Sequence, residues 1–353
     1  MKFLHLADVH LGAAPDAGNS WSAGRGQEIW DTFRDAIALA SREQVDLLLI
    51  AGDLFHRQPT AEALREVDYL FSTIPHTRVV LIAGNHDYLA PASPYYSFRF
   101  SRNVECLFST ECECLRYPEI KTEIYGFSYD RQEITEPLYD RLKPVNNNYI
   151  HILLGHGGDA RHIPINADKV RRNGFDYVAL GHIHRPGALI ANKIVYPGAL
   201  SPIDCDDLGP HGCVLGEIRG HHANVRFVPL AKRQYRLMEL VCSDADTTFS
   251  LRDRLERQIR DTGDGDLYRV ILTGERLPGA KFDVSRLKDC GMITDVEDRT
   301  VPALHVEELR RRFQGQLIGR YIDSFDGEHL SEAESKALQY GLEALIASRK
   351  DQE

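Results

Sequence analysis

The sequence predicts an α/β core built on two sheets, then a small α+β domain, then C-terminal helices. Three observations carry this. Apolar strands alternate with amphipathic helices from Lys2 to Ala83, in the order β-α-β-α-β that marks a sheet with helices packed on it. From Phe175 to Val228 strands follow one another with too little chain between them for long helices, so a second sheet is expected. After Lys232 the pattern shifts to short mixed elements, and after Val306 to helical periodicity. The expected division is 1–230 for the core, 231–303 for the small domain and 304–353 for the helical segment.

Taken in order, Lys2 to Ala7 reads as the first strand, and the Gly-, Ala- and Ser-rich stretch from Pro15 to Gly26 as a loop. Arg25 to Gln44 reads as a helix whose apolar face is Ile29, Phe33, Ile37 and Ala40. Leu47 to Ala51 is apolar without alternation, which fits a strand covered on both faces. Thr60, after Pro59, reads as the N-cap of a helix to about Thr73 with Leu64, Val67, Phe71 and Ile74 as its stripe. Arg78 to Ala83 is the third strand. Leu89 to Glu123 is less regular. Its aromatics, Tyr95, Tyr96, Phe98 and Phe100, read as a satellite core under a long loop, with a substrate-facing loop as the other reading. Strands continue at Ile124 to Phe127, Tyr149 to Leu154, Phe175 to Leu180, Lys193 to Tyr196, Gly212 to Ile218 and Ala223 to Val228. The small domain reads as a strand from Tyr235 to Val241, a helix from Thr248 to Asp261, a strand from Leu267 to Thr273 and a short helix from Asp283 to Asp289. Val306 to Tyr321 and Ser331 to Ser348 read as helices. In the first, Leu309, Phe313, Leu317 and Tyr321 make one stripe beside Arg310, Arg311, Arg312 and Arg320.

Bulk properties bound the function. A net charge of -10 argues against a surface that grips nucleic acid everywhere, because such binding rests on cationic side chains meeting phosphates. A local basic groove or a metal-based phosphate site remains open, since bound cations add charge the sequence does not carry. The 7 cysteines form no C-x-x-C zinc pattern and read as reduced, hence a cytoplasmic protein. The first residues do not read as a signal peptide, because His5 and Asp8 break the apolar run, and no stretch is apolar enough for a membrane span. Neither a G-x-x-x-x-G-K-S/T loop nor a G-x-S-x-G elbow occurs, so an ATP-driven step would need another protein as motor.

The chemistry sits at strand ends. FLHLADVH brings Asp8 and His10, LLLIAGD brings Asp53, VVLIAGNHD brings Asn85, His86 and Asp87, HILLGHGG brings His156, and YVALGHIH brings His182 and His184. Any one such residue after a strand would be read as a turn former; five such events in one chain do not share that explanation. Open α/β sheets place ligands at the carboxyl ends of their strands. Asp8 and His10, like His182 and His184, are two apart, which in an extended chain turns both toward one ion. The set Asp8, His10, Asp53, Asn85, His156, His182 and His184 offers oxygen and nitrogen donors, which suit manganese, iron or zinc. Seven ligands exceed one tetrahedral ion and suit two divalent ions bridged by one carboxylate, Asp53. Such pairs, about 3.5–4 Å apart, clamp a phosphoryl group for in-line attack by water. His86 is read as stabilising the transition state or protonating the leaving alkoxide, with Asp87 either orienting its ring or forming a turn. His56 is read as contacting the scissile phosphate. Arg161 is read as a solvated salt bridge rather than a phosphate ligand. His5, His151, His162, His211, His221 and His222 are read as ordinary strand or surface residues.

Together, D-x-H, G-D-x-x-H, G-N-H-D, G-H and G-H-x-H, in that order and at strand ends, resemble the calcineurin-like metallophosphoesterase superfamily over about the first 200 residues. HLADVHLG, AGDLFH and AGNHD are similar to the DNA double-strand-break repair nucleases of the SbcD type and their YhaO-like relatives. The resemblance implies a four-layer α/β-β/α sandwich with a small capping domain. It implies one ion on Asp8, His10, Asp53 and His184, the other on Asp53, Asn85, His156 and His182, with manganese the usual metal. It implies that His86 assists the transition state and His56 lies near the substrate phosphate. It further implies DNA as substrate, a homodimer, and a C-terminal helical segment that binds an SbcC-like coiled-coil ABC-type ATPase. A phosphodiesterase or phosphatase for nucleotides or other small substrates is the alternative function.

Overall fold

The computed structural model describes residues 1–325 and 330–350. The chain divides into two compact units, Met1–Tyr235 and Arg236–Glu353.

The first unit carries twelve strands: β1 (Lys2–Leu6), β2 (Leu47–Ala51), β3 (Arg78–Ile82), β4 (Val104–Cys106), β5 (Glu113–Tyr117), β6 (Thr122–Gly126), β7 (Ile150–His156), β8 (Tyr177–Gly181), β9 (Gly187–Ile190), β10 (Ile194–Tyr196), β11 (Gly212–Arg219) and β12 (His222–Pro229). Its helices are α1 (Arg25–Glu43), α2 (Ala61–Ser72) and α3 (Ala167–Arg172). One sheet has the order β12-β11-β1-β2-β3-β4 and the other β5-β6-β7-β8-β10-β9. In each, four adjacent strands run parallel: β1 to β4 in the first, and β6, β7, β8 and β10 in the second.

The two-residue period of a strand explains the layers. Leu47, Leu49 and Ala51 of β2 point between the sheets, where they meet Ile152 and Leu154 of β7 and Tyr177 and Ala179 of β8. Leu48 and Ile50 point the other way, under Ile29 and Phe33 of α1 and Leu64, Val67 and Phe71 of α2. The outer face of the second sheet is covered around Tyr139, Val170 and Phe175. Helices, sheet, sheet, helix: this is the α/β-β/α sandwich of the expectation. Truncating a core residue such as Leu49 to Ala would cost about 2–5 kcal/mol. Local signals agree. Thr60 caps α2, its side chain accepting from the Ala63 amide at 3.1 Å, and α1 stops where Gln44 turns left-handed at φ 51°.

The stretch from Leu89 to Glu123 is more structured than its composition suggested, since it contributes β4 and β5. Tyr95 is buried in the helix-side core with Phe98 and Phe100 packed against it, whereas Tyr96 is exposed.

The second unit has strands β13 (Tyr235–Cys242, which begins on the last residue of the first unit), β14 (Leu267–Arg276), β15 (Ile293–Asp298) and β16 (Val301–Pro302), with helices α4 (Thr248–Thr262) and α5 (Val284–Lys288). Leu251, Leu255 and Ile259 of α4 pack on Val270 and Leu272 of β14. The helix expected from Val306 to Tyr321 is two helices, α6 (Val306–Arg312) and α7 (Leu317–Asp323). Gly315, at φ 76°, turns the chain between them. The proposed stripe is therefore split, and Leu317 is 68% exposed rather than buried. Ile318 and Ile322 face Leu338 and Leu342 of α8 (Glu332–Lys350) instead. The helical segment expected over 304–353 includes 326–329 and 351–353, which lie outside the described residues.

Candidate metal centre

All seven candidate ligands lie at the carboxyl ends of β1, β2, β3, β7 and β8, on both sheets. Asp8 and Asp53 follow their strands and are buried. The local backbone is not the extended chain that the two-residue spacing suggested. Asp8, His10 and Asp53 sit at φ 50°, 52° and 50°, and His182 at 93°. Left-handed non-glycine residues of this kind cost of order 1–3 kcal/mol each and cluster at functional sites. The close approach of strands needs glycine. A Cβ on Gly52 would meet the His156 ring, and one on Gly84 would meet the Asp53 carboxylate.

The side chains converge. The Asp8 carboxylate accepts from the His182 amide at 2.9 and 3.0 Å. Oδ1 of Asp53 accepts from the His86 amide at 2.8 Å, while Oδ2 lies 3.4 Å from His156 Nε2 and 3.9 Å from His10 Nε2. Nε2 of His10 and Nε2 of His184 face one another at 3.1 Å. Oδ1 of Asn85 lies 2.8 Å from His156 Nε2 and 3.2 Å from His182 Nδ1.

Three of the four imidazoles are held from behind, while the buried Nδ1 of His10 has no hydrogen-bond partner among the described residues. Nδ1 of His156 donates to the Ala51 carbonyl at 2.8 Å. Nε2 of His182 contacts Asp159 at 2.7 Å. Nδ1 of His184 faces the two oxygens of Asp207 at 3.0 and 3.2 Å. Sequence reasoning missed Asp207 altogether and passed over Asp159. The acidic run Asp204-Cys205-Asp206-Asp207 was the one available signal.

Burial pushes the Asp8 carboxyl up to about 6 against the pull of His156 and His184. Burial also opposes ionisation of Asp53, but the imidazoles of His156, His10 and His86 outweigh it and hold Asp53 well below the usual carboxylate range. For His156, burial lowers the pKa, and the Asp53 and Asp8 carboxylates more than reverse this, to about 9.

These residues fit divalent cations. Asp8, His10 and His184 offer atoms within 4.8 Å of one another, and so do Asp8, Asp53 and His156. Every donor is oxygen or nitrogen. Two neighbouring buried carboxylates are offset by imidazoles, and a cation would let both ionise.

His86 is exposed, beside the cluster. Its ring centroid is 4.8 Å from that of His10 and 5.3 Å from that of His56, with which it stacks. Its Nδ1 faces the His56 carbonyl at 3.2 Å. The contacts of Asp87 correct the idea that it orients this ring. Its carboxylate is buried and accepts from the Gly84 amide at 2.8 Å, the Phe55 amide at 3.2 Å and the Tyr95 hydroxyl at 2.8 Å, so it fastens the loop. Arg161 pairs with Glu133 in an exposed ion pair.

Residues 1–186 match the calcineurin-like phosphoesterase family. The chain belongs to that family. As a metallophosphoesterase it is a hydrolase of phosphoester bonds, in a family that binds divalent metals. It is 28% identical over 298 residues to the uncharacterized metallophosphoesterase YhaO of Bacillus subtilis, covering 78% of this chain and 72% of that one. It is 23% identical over 387 residues to the SbcD subunit of nuclease SbcCD from Staphylococcus epidermidis, covering 98% and 99%. It is 26% identical over 305 residues to DNA double-strand break repair protein Mre11 of Sulfurisphaera tokodaii, covering 78% and 74%. No described helix of this metallophosphoesterase is long and apolar enough to cross a membrane.

Proposed function

We propose that this metallophosphoesterase is a DNA nuclease subunit that cleaves phosphodiester bonds in DNA repair. The observation that carries the reading is the extent of the likeness to the SbcD subunit of nuclease SbcCD. It runs over 98% of the chain, well past residue 186 where the family match ends. A phosphodiesterase for small substrates would account for the site but not for that extent. The nuclease reading brings with it a homodimer, a cytoplasmic location, an SbcC-like ATPase partner and a capping role for residues 231–303.

Asp8, His10, Asp53 and His184 would hold one ion, and Asp53, Asn85, His156 and His182 the other, with Asp53 shared. Manganese suits this donor set, with iron or zinc next. Held there, the ions would supply charge to offset the phosphoryl oxygens and would lower the pKa of a bound water. The chain's own residues do the rest. A carbonyl can only accept, so the 3.2 Å contact with the His56 carbonyl places a proton on Nδ1 of His86. With Nδ1 so occupied, Nε2 is the atom that would carry the second proton of the imidazolium and hand it to the leaving alkoxide, leaving the neutral ring with its Nδ1 proton. His56, stacked on that ring, would contact the scissile phosphate.

The test is cleavage of labelled linear duplex, single-stranded DNA and bis-p-nitrophenyl phosphate with manganese, beside His86→Ala. DNA cleavage should fall by about 10²–10⁴-fold in the variant with both ions still bound. Loss of metal in step with activity would refute the role of His86. Hydrolysis of the small diester without DNA cleavage, even with the ATPase added, would favour the small-substrate reading.

A further inference from the structure

The G-H-I-H turn presents two histidines through opposite nitrogens. His182 turns Nδ1 toward the cluster and His184 turns Nε2 toward it. The backbone alone does not decide which nitrogen of a neutral imidazole carries the proton; the group behind the ring does. Behind His184 stands Asp207, from the loop before β11, with a side chain only 9% exposed. Both oxygens face His184 Nδ1, at 3.0 and 3.2 Å, but only Oδ2 also serves the loop. Oδ2 accepts from the main-chain amides of Ile203 at 3.0 Å and Asp204 at 3.1 Å, which fixes the carboxylate in the loop. Oδ1, at 3.0 Å, is the nearer to His184 Nδ1.

We infer that Asp207 is the positioning residue of the metal centre: its carboxylate holds the proton of His184 on Nδ1 and so keeps the Nε2 lone pair free for an ion. This rests on the reading of His184 as a ligand. An ionised carboxylate only accepts, so Nδ1 must donate to it. The charge-assisted bond also makes the ring more basic. Nothing in the motif spacing requires Asp207, since it lies 23 residues beyond His184. Fixed by two loop amides and largely buried, it offers one geometry. Asp159, behind His182, is 46% exposed and shared with His162 at 2.9 Å, so it imposes less.

The division of labour between the oxygens separates positioning from structure. In Asp207→Asn the amide oxygen can keep the two loop amides, and the NH2 then faces His184 Nδ1. Two donors cannot face each other, so the imidazole proton moves to Nε2 and blocks the lone pair. In Asp207→Ala the loop loses its anchor, but nothing forces the proton to Nε2, and a water can accept from Nδ1. Positioning therefore predicts an inversion. Asn should be the worse variant for metal and Ala the worse one for folding.

The experiment titrates manganese alone into metal-stripped full-length protein by calorimetry, for wild type, His184→Ala, Asp207→Asn and Asp207→Ala. Thermal midpoints are read without metal. The expected result is that His184→Ala loses one of two ions, and that Asn weakens the same ion by about 10–100-fold with an almost unchanged midpoint. Ala should weaken the ion less than Asn while lowering the midpoint more. If His184→Ala keeps both ions at wild-type affinity, the ligand reading fails and the inference falls with it. If His184→Ala loses an ion but Asn binds like wild type, or Ala weakens the ion more than Asn does, the inference alone is overturned.

Discussion

Asp53 is where the two halves of the site meet. It leaves β2 in a left-handed conformation, takes the His86 amide on one oxygen and faces His156 and His10 with the other. If it bridges two ions, its loss removes a ligand from each at once. Asp53→Ala is therefore expected to fall from two manganese ions per chain to none in a metal-content measurement, with DNA cleavage abolished. Retention of two full-occupancy ions would remove Asp53 as the bridge. All seven candidate ligands were legible in the sequence because each is an unusual residue type directly after an apolar run. The carboxylates behind them were not. Asp207 touches His184 from a loop 23 residues away, and Asp159 touches His182 across a similar gap. Chain separation of that kind leaves no periodicity to read. The φ values above 50° at His10 and His182 were equally hidden, since a spacing of two says nothing of the turn that realises it.

At the scale of elements, the second sheet is fastened by a polar knot. Glu123 of β6 is fully buried and accepts from Arg116 of β5 at 2.7 Å, Tyr125 at 2.7 Å and Asn147 at 3.1 Å, with His151 of β7 at 3.3 Å. Burial raises its pKa, but the bonds from Tyr125, Asn147 and Arg116 win and hold it below the ordinary 4.5. A carboxyl depressed in the folded state stabilises fully above its unfolded value, and that stability is lost as pH falls through the folded value. Thermal midpoints of the wild type should thus drop below pH of about 4.5. Glu123→Gln should be less stable at pH 7 by on the order of 1–3 kcal/mol and have a shallower acid limb. Identical acid limbs would show that Glu123 does not report in that window. The long parallel strands and α1, α2 and α4 were legible from apolar period alone. The strand from Glu113 to Tyr117 was not, because it is short and largely exposed and turns only Leu115 and Tyr117 to the core. The break at Gly315 was missed for a different reason. The i, i+4 stripe from Leu309 to Tyr321 is a real periodicity, and one glycine at φ 76° interrupts it.

For the whole molecule, the distribution of residues separates chemistry from everything else. Each candidate ligand, His56, His86, Asp159 and Asp207 belong to Met1–Tyr235. The three apolar clusters of that unit draw on residues no later than Leu230. Arg236–Glu353 has its own core around α4 and β14, and a second around α7 and α8. With over 200 residues and several apolar clusters, the first unit has ample material to fold alone. A fragment ending at Tyr235 is expected to unfold cooperatively, bind two manganese ions and hydrolyse bis-p-nitrophenyl phosphate within about 3-fold of the full chain's rate, a difference of roughly 0.6 kcal/mol in barrier. It should no longer bind the ATPase, because the proposed docking segment, including the exposed Leu317 and Tyr340, is gone. Circular dichroism and metal content would first establish that the fragment is folded and loaded. A fragment that passes both and yet fails on the small diester would mean that the second unit enters the chemistry, and the separation of roles proposed for this chain would have to be abandoned.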